Sequence, residues 1–250
     1  MKKIISVLII SFINLQAGEV YATLIVEAFQ KANLAFDTSG IVNKVNSDIS
    51  TIVKTGAVLA ELQNDDLEAS LRIAKATVDE AKVTLKFTKR DYERQIKVKH
   101  LIDEAKFDVY ALAYEKSKVA LNQAQANLAY QQSLLNKTKL RAPFNGVIYE
   151  KSIEVGDAVS GMMLRTVFKI QSLSKRKLIL SFDQKYWKDV QVGQEFNYQI
   201  DGDIKKHKGV ISKVYPSANA KNRKIRAEVK ADEFVVGLIG AGYIIIPDKQ

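Results

Sequence analysis

The 250-residue chain is 47% hydrophobic and 26% charged, ordinary material for one large folded domain or several small modules, so composition by itself names no function. It has no cysteine, which excludes a disulfide framework, a thiolate nucleophile, a cysteine-ligated metal site and a lipid-anchoring cysteine. The formal net charge of +10 invites nucleic acid or an acidic surface as partner, but Lys and Arg alternate with Asp and Glu through every segment; the one local excess is 82–99, where seven basic residues face only Asp91 and Glu93.

The chain opens with Lys2 and Lys3, the apolar run 4–13, and small residues at Ala17, Gly18 and Ala22, the pattern of a secretory signal peptide over residues 1–22. Asn14, Gln16 and Glu19 end the run well short of the roughly 20 apolar residues that a membrane-spanning helix needs. Export argues against a nucleic-acid partner and predicts a mature chain that is soluble outside the cytoplasm. Residues 23–29 then read as a strand.

Two glycine-punctuated stretches follow, one on each side of a long insertion. The first begins Gly40-Ile41-Val42 and continues through Ser50, Val53, Gly56, Leu59 and Leu62; the second begins Gly146-Val147-Ile148 and continues through Gly156, Val159 and Gly161. Counted from the first glycine, Ser50 and Gly156 both fall at the tenth step, and valine recurs at the thirteenth in both. Alternating apolar residues between glycine turns predict short β-strands, and the matching spacing predicts one small β-domain built of two halves.

Between the halves, residues 64–137 contain none of the 12 glycines or three prolines. Leu67, Leu71, Ala74, Val78, Ala81, Leu85, Thr88 and Tyr92 form one apolar series. Phe107, Tyr110, Tyr114, Ser117, Leu121, Ala124, Leu128, Gln131 and Leu135 form another. Both step by fours and threes, the seam spacing of two helices packed as a coiled coil, with Leu85 and Leu121 expected in the buried contact. Asp65 and Asp66 supply negative charge at the first helix N-terminus, residues 99–103 leave room only for a tight reversal, and Asp103 is placed to cap the second helix. The result is an antiparallel hairpin reaching on the order of 50 Å at ~1.5 Å per residue. Two helices have too little core for a catalytic domain.

After residue 170, the segments 177–182, 194–200, 209–214, 224–230 and 242–246 are strand-like, enough with 23–29 for a small barrel. His100 and His207 read as separate surface histidines, and the adjacent Met162 and Met163 as strand filling rather than soft-metal ligands. No H-E-x-x-H, G-x-S-x-G or phosphate-binding glycine loop is present, which argues against an enzyme.

The run Thr138-Lys139-Leu140-Arg141-Ala142-Pro143-Phe144-Asn145-Gly146-Val147-Ile148 resembles the second lipoyl half-motif of the HlyD/AcrA-type periplasmic adaptor (membrane fusion protein) family, and the stretch from Gly40-Ile41-Val42-Asn43-Lys44-Val45 to Val53-Lys54-Thr55-Gly56-Ala57-Val58-Leu59-Ala60-Glu61-Leu62 resembles the first. Ser50 stands where that family usually has glycine, and Gly240-Ala241-Gly242-Tyr243 resembles the end of its β-barrel domain. The resemblance implies an elongated α+β fold in modules. These are a β-barrel from 23–36 and 171–250, a split lipoyl-like (barrel-sandwich hybrid) domain from 37–63 and 138–170, and an antiparallel α-helical coiled-coil hairpin over 64–137 inserted into it.

It further implies a non-enzymatic periplasmic adaptor of a tripartite efflux system, bridging an inner-membrane transporter to a TolC-type outer-membrane channel. Several copies would surround the conduit, as a hexamer or a trimer of dimers. No catalytic, cofactor-binding or metal-ligating residue is implied. The implied partner-binding residues lie at the hairpin tip: Arg94, Val98, Leu101, Ile102 and Asp103. Arg94 and Asp108 match the family's arginine before the turn and aspartate after it, although this turn is about two residues shorter and Asp103 replaces the usual serine. A resistance-nodulation-division pump fits the compact barrel and short hairpin; an ATP-driven efflux or type I secretion system is the alternative. A lipoyl or biotinyl carrier would place its modifiable lysine where the 64–137 insertion stands.

Overall fold

A computed structural model describes residues 18–163, 165–232 and 234–247. In chain order the elements are β1 (Gly18–Ala28), β2 (Lys31–Leu34), β3 (Gly40–Val45), β4 (Ile52–Val53), β5 (Val58–Leu62), α1 (Asp65–Lys97) and α2 (Glu104–Lys137). They continue with β6 (Lys139–Arg141), β7 (Gly146–Lys151), β8 (Ala158–Val159), β9 (Phe168–Ser172), β10 (Lys175–Asp183), β11 (Glu195–Ile200), β12 (His207–Asn219), β13 (Lys224–Asp232) and β14 (Ile239–Ile246). Among the described residues they fall into two compact units, 18–31 with 171–247 and 32–170.

The first unit is a closed antiparallel barrel in the order β1-β10-β13-β12-β11-β14. Alternation drives it: Val20, Ala22, Leu24 and Val26 of β1 face inward beside Leu178, Leu180 and Phe182 of β10, with Phe196, Ile211, Val229 and Ile244 completing the core. Closure brings β14 close to β11, and a Cβ at Gly242 would fall against the Asn197 carbonyl, which is why that strand carries glycine there. Residues 1–17 of the expected signal peptide lie outside the described residues. Its expected end at residue 22 falls inside β1, whose Gly18 to Ala22 pair with Ile246 to Gly242.

The second unit contains two four-stranded sheets, β2-β9-β7-β4 and β6-β5-β3-β8, enclosing Phe36, Val42, Leu59, Leu62, Ile148, Phe168 and Ile170. Here the expected boundary moves. Residues 32–36, expected in the barrel, belong to the sandwich: β2 pairs within a sandwich sheet and Phe36 is buried in the sandwich core, because β9 and the sandwich side chains offer it the apolar surface.

The repeat has a direct structural meaning, since each half completes the other. Gly40 pairs with Val159 and Gly146 with Val53, and Ile41 pairs with Ala158 as Val147 does with Ile52. The residue before each leading glycine repeats the exchange. Asn145 Oδ1 accepts the Thr55 N–H at 2.8 Å, and Ser39 Oγ accepts the Gly161 N–H at 3.0 Å. The run 141–146 therefore grips the 54–56 turn, with Arg141 Nη1 donating to the Gly56 carbonyl at 2.8 Å.

The helices lie in sequence between β5 and β6, which pair antiparallel, Ala60 with Leu140 and Glu61 with Lys139. The Leu62 N–H donates to the Thr138 carbonyl, and buried Asn64 donates from Nδ2 to Thr138 Oγ1, so both roots of the hairpin are tied at one place. The seam residues run along the contact between α1 and α2. Leu71, Ala74, Val78, Phe107, Ser117, Ala124 and Leu135 are buried, but Leu85 and Leu121 are only half-buried, because two helices alone cannot enclose a central leucine.

Candidate functional site at the hairpin tip

The tip is built from the reversal between the helices. The chain leaves α1 through a 3₁₀ turn, Lys99–Leu101, and enters α2 at Asp103, whose Oδ1 accepts the Ala105 N–H at 2.8 Å. This is the expected cap, and it fixes the start of α2 without any contact from another chain. With Asp103 occupied by the backbone and Ile102 extended and half-buried, the turn presents Leu101, which is 73% exposed, beside Val98 at 37%. A leucine left this open at a turn is an unpartnered apolar knob.

The structure brings Val98, Leu101, Ile102 and Asp103 together around the turn. Arg94 lies about a turn back on α1, ion-paired to Asp91 on the same helix. That pair is exposed on both sides and contributes little by itself, so the guanidinium is held at modest cost to any competitor carboxylate.

Beneath the tip lies a support that sequence reading left unassembled. Tyr92 stacks on Tyr114 with ring centroids 5.2 Å apart and meets Phe107 at 5.6 Å, and Lys99 Nζ stands 4.6 Å over the Phe107 ring. Farther down, Thr88 Oγ1 and Ser117 Oγ lie 2.7 Å apart across the seam. Their places in the two apolar series marked them as facing inward; only their pairing fixes which turn meets which.

Two other expectations change. Met162 and Met163 are 90% and 77% exposed in a loop between β8 and β9, so they fill no strand, since the chain there has left the sandwich sheets. His207 is not a lone surface residue: its Nε2 lies 2.8 Å from Asp203 Oδ2 and its ring stacks on Tyr198, because β12 begins beside β11. The Lys205 backbone N–H and then His207 hold the Asp203 carboxyl below its usual range. Among the described residues no group of three or more His, Asp or Glu side chains converges as for a metal ion, and no helix is long and apolar enough to cross a membrane.

Residues 30–171 match the family model described as CzcB-like, barrel-sandwich hybrid domain. The chain is 27% identical over 199 residues to the cobalt-zinc-cadmium resistance protein CzcB of Cupriavidus metallidurans, an alignment covering 76% of this chain but only 37% of that relative. In fold it is similar to MacA from Actinobacillus actinomycetemcomitans, with a TM-score of 0.77 and 20% identity over 94% of this chain and 80% of the other. It is also similar to a MacA-MexA chimera carrying the Pseudomonas aeruginosa MexA α-hairpin, with a TM-score of 0.71 and 22% identity over 94% and 84% of the two chains.

Proposed function

Because the chain belongs to the CzcB-like barrel-sandwich hybrid family of membrane fusion proteins, we propose that it is the periplasmic adaptor of a tripartite efflux system, linking an inner-membrane transporter to a TolC-type outer-membrane channel. In this reading the sandwich is lipoyl-like, the hairpin is an insertion that replaces the carrier lysine of such domains, and the tip is the channel-docking surface. The observation that carries it is the hairpin itself: helices of 33 and 34 residues rooted on adjacent strands and ending in an exposed apolar knob. Such a rod reaches about 50 Å. Its form suits a spacer between membranes. The name of the CzcB relative favours a cation pump of the resistance-nodulation-division type as transporter.

The outer edges of the hairpin support assembly into a ring. Ile73, Val83 and Phe87 on α1 are exposed and fall within about 80° of one another at 100° per residue, opposite the seam. Val109, Leu112, Val119 and Tyr130 do the same on α2 within about 80°. Two different apolar edges on one ribbon favour edge-to-edge packing of successive copies, a head-to-tail contact that closes when the rotation allows, as six copies or three pairs would. Purification of the tagged full chain from cells after cross-linking tests the reading. Recovery of an inner-membrane transporter and an outer-membrane channel with several adaptor copies is expected, and a single adaptor without either partner refutes it.

A further inference from the structure

One end of the barrel carries a cluster that the adaptor reading does not use. At the end away from Ala28 and Arg176, the loop after β10 is pinned inward by half-buried Tyr186 and buried Val190, and it turns Trp187 outward with 63% of its surface exposed. Trp187 is the only tryptophan in the chain. Lys185 Nζ stands 4.9 Å over the Tyr186 ring and Lys188 Nζ 5.1 Å over the indole, so each ammonium group is placed on an aromatic face. The turn between β12 and β13 lies alongside, joined by the Gln184 N–H donating to the Arg223 carbonyl at 3.0 Å, and adds Lys221 and Arg223, with Lys224 at the start of β13. Five cations thus share this end with the carboxylates of Asp183 and Asp189, and Asp183 is engaged with the Lys185 backbone N–H.

We propose that this end of the barrel, Trp187 with Lys185, Lys188, Lys221 and Arg223, is a peripheral binding surface for anionic phospholipid headgroups. An exposed indole with one lysine ammonium over its own ring and another over the neighbouring tyrosine has the chemistry of the membrane interface, where the ring sits at headgroup depth and the ammonium groups meet phosphate. Backbone hydrogen bonds within the loop, from the Trp187 N–H to the Gln184 carbonyl and from the Val190 N–H to the Tyr186 carbonyl, hold the indole outward. An acidic protein surface that lacks an apolar recess would satisfy the cations but leave the exposed indole in water.

The single tryptophan makes the test specific. The full chain is titrated at low salt with vesicles of phosphatidylcholine alone and with vesicles containing phosphatidylglycerol, some carrying brominated acyl chains. The proposal expects a blue shift and bromine quenching of Trp187 with the anionic vesicles only. Each lysine near such a surface contributes roughly fivefold to partitioning, so Lys185→Gln with Lys188→Gln weakens the effect roughly 25-fold. No shift or quenching with anionic vesicles overturns it even if the chain sediments with them, since sedimentation could then arise from the apolar N-terminal run. An equal shift with soluble polyglutamate also overturns it, in favour of an acidic protein partner.

Discussion

Ser50 and Gly156 are the same position of two interlocked halves: both have positive φ, 69° and 93°, and each donates its backbone N–H to a carbonyl of the other half, Ser50 to Ile148 at 2.8 Å and Gly156 to Val42 at 2.9 Å. The return bonds match, from Ile148 to the Thr51 carbonyl and from Val42 to the Asp157 carbonyl. The left-handed turn is thus demanded by the exchange of strands, and Ser50 meets it without glycine's freedom. Open space surrounds a Cβ at Gly156, so Gly156→Ala adds only backbone strain. It should destabilise the sandwich by about 1 kcal/mol, while Ser50→Gly should change stability by less than about 1 kcal/mol in either direction, since relieved strain and added unfolded-chain entropy oppose each other. Chemical denaturation of both variants measures this.

Much of this was legible because repeated spacing is a direct record of paired backbone. Gly40, Gly146 and the valines thirteen steps on could be aligned by counting, and the hairpin followed from the two seams and the absence of glycine and proline. Less legible were edges set by tertiary partners. Strand β2 has no internal signal that assigns it to the sandwich, and Gly18 to Ala22 look like part of a cleavage region until Val20 and Ala22 are seen buried in the barrel. At the tip, Leu101 and Asp103 could be placed from sequence, but the stacking of Tyr92 on Tyr114 depends on register between helices, which spacing along one helix does not specify.

The start of β1 gives a second prediction. A chain beginning at Gly18 should keep the barrel, whereas one beginning at Thr23 loses five residues paired to β14 and two side chains with no solvent exposure. The loss should be about 3 kcal/mol or more, because a buried valine and a row of strand pairing go together. Thermal unfolding of the two chains distinguishes them; equal stability would mean that β1 is dispensable before residue 23.

Depth along the seam orders the effect of charge. Ala74 is 2% exposed, so Ala74→Asp places a carboxylate where water cannot follow and should cost several kcal/mol. Half-buried Leu85 and Leu121 can turn an aspartate partly outward, so Leu85→Asp and Leu121→Asp should cost about 1–3 kcal/mol each. Helix content by circular dichroism during denaturation reads the order, and a larger loss at Leu85 than at Ala74 would contradict the proposed contact.

On the barrel wall, Glu228 Oε1 accepts the Tyr215 hydroxyl at 2.6 Å and lies near Lys177 and Lys213. Burial works to raise its pKa, but the tyrosine hydrogen bond and the two ammonium groups outweigh it and hold the carboxyl below the usual glutamate range. A depressed folded pKa contributes stability above the unfolded value, lost as pH falls through the folded one. Wild type should therefore be more stable than Glu228→Gln at neutral pH, by under about 1 kcal/mol given the partial exposure, and the two should converge once the pH has fallen through the depressed folded pKa. A difference that persists unchanged into acid would assign the effect to shape instead of charge.

The proposed docking of the hairpin tip on the channel can be read directly in cells. Because the chain has no cysteine, Val98→Cys, Leu101→Cys and Ile102→Cys can each be paired in cells with cysteines at the periplasmic end of the outer-membrane channel, with Ile204→Cys in the exposed β11–β12 loop of the barrel as control. Disulfide-linked adaptor and channel should form from the tip positions, most strongly from the most exposed, Leu101, and not from the control. Cross-links from position 204 with none from 98, 101 or 102 would place the barrel at the channel and contradict the docking surface assigned here.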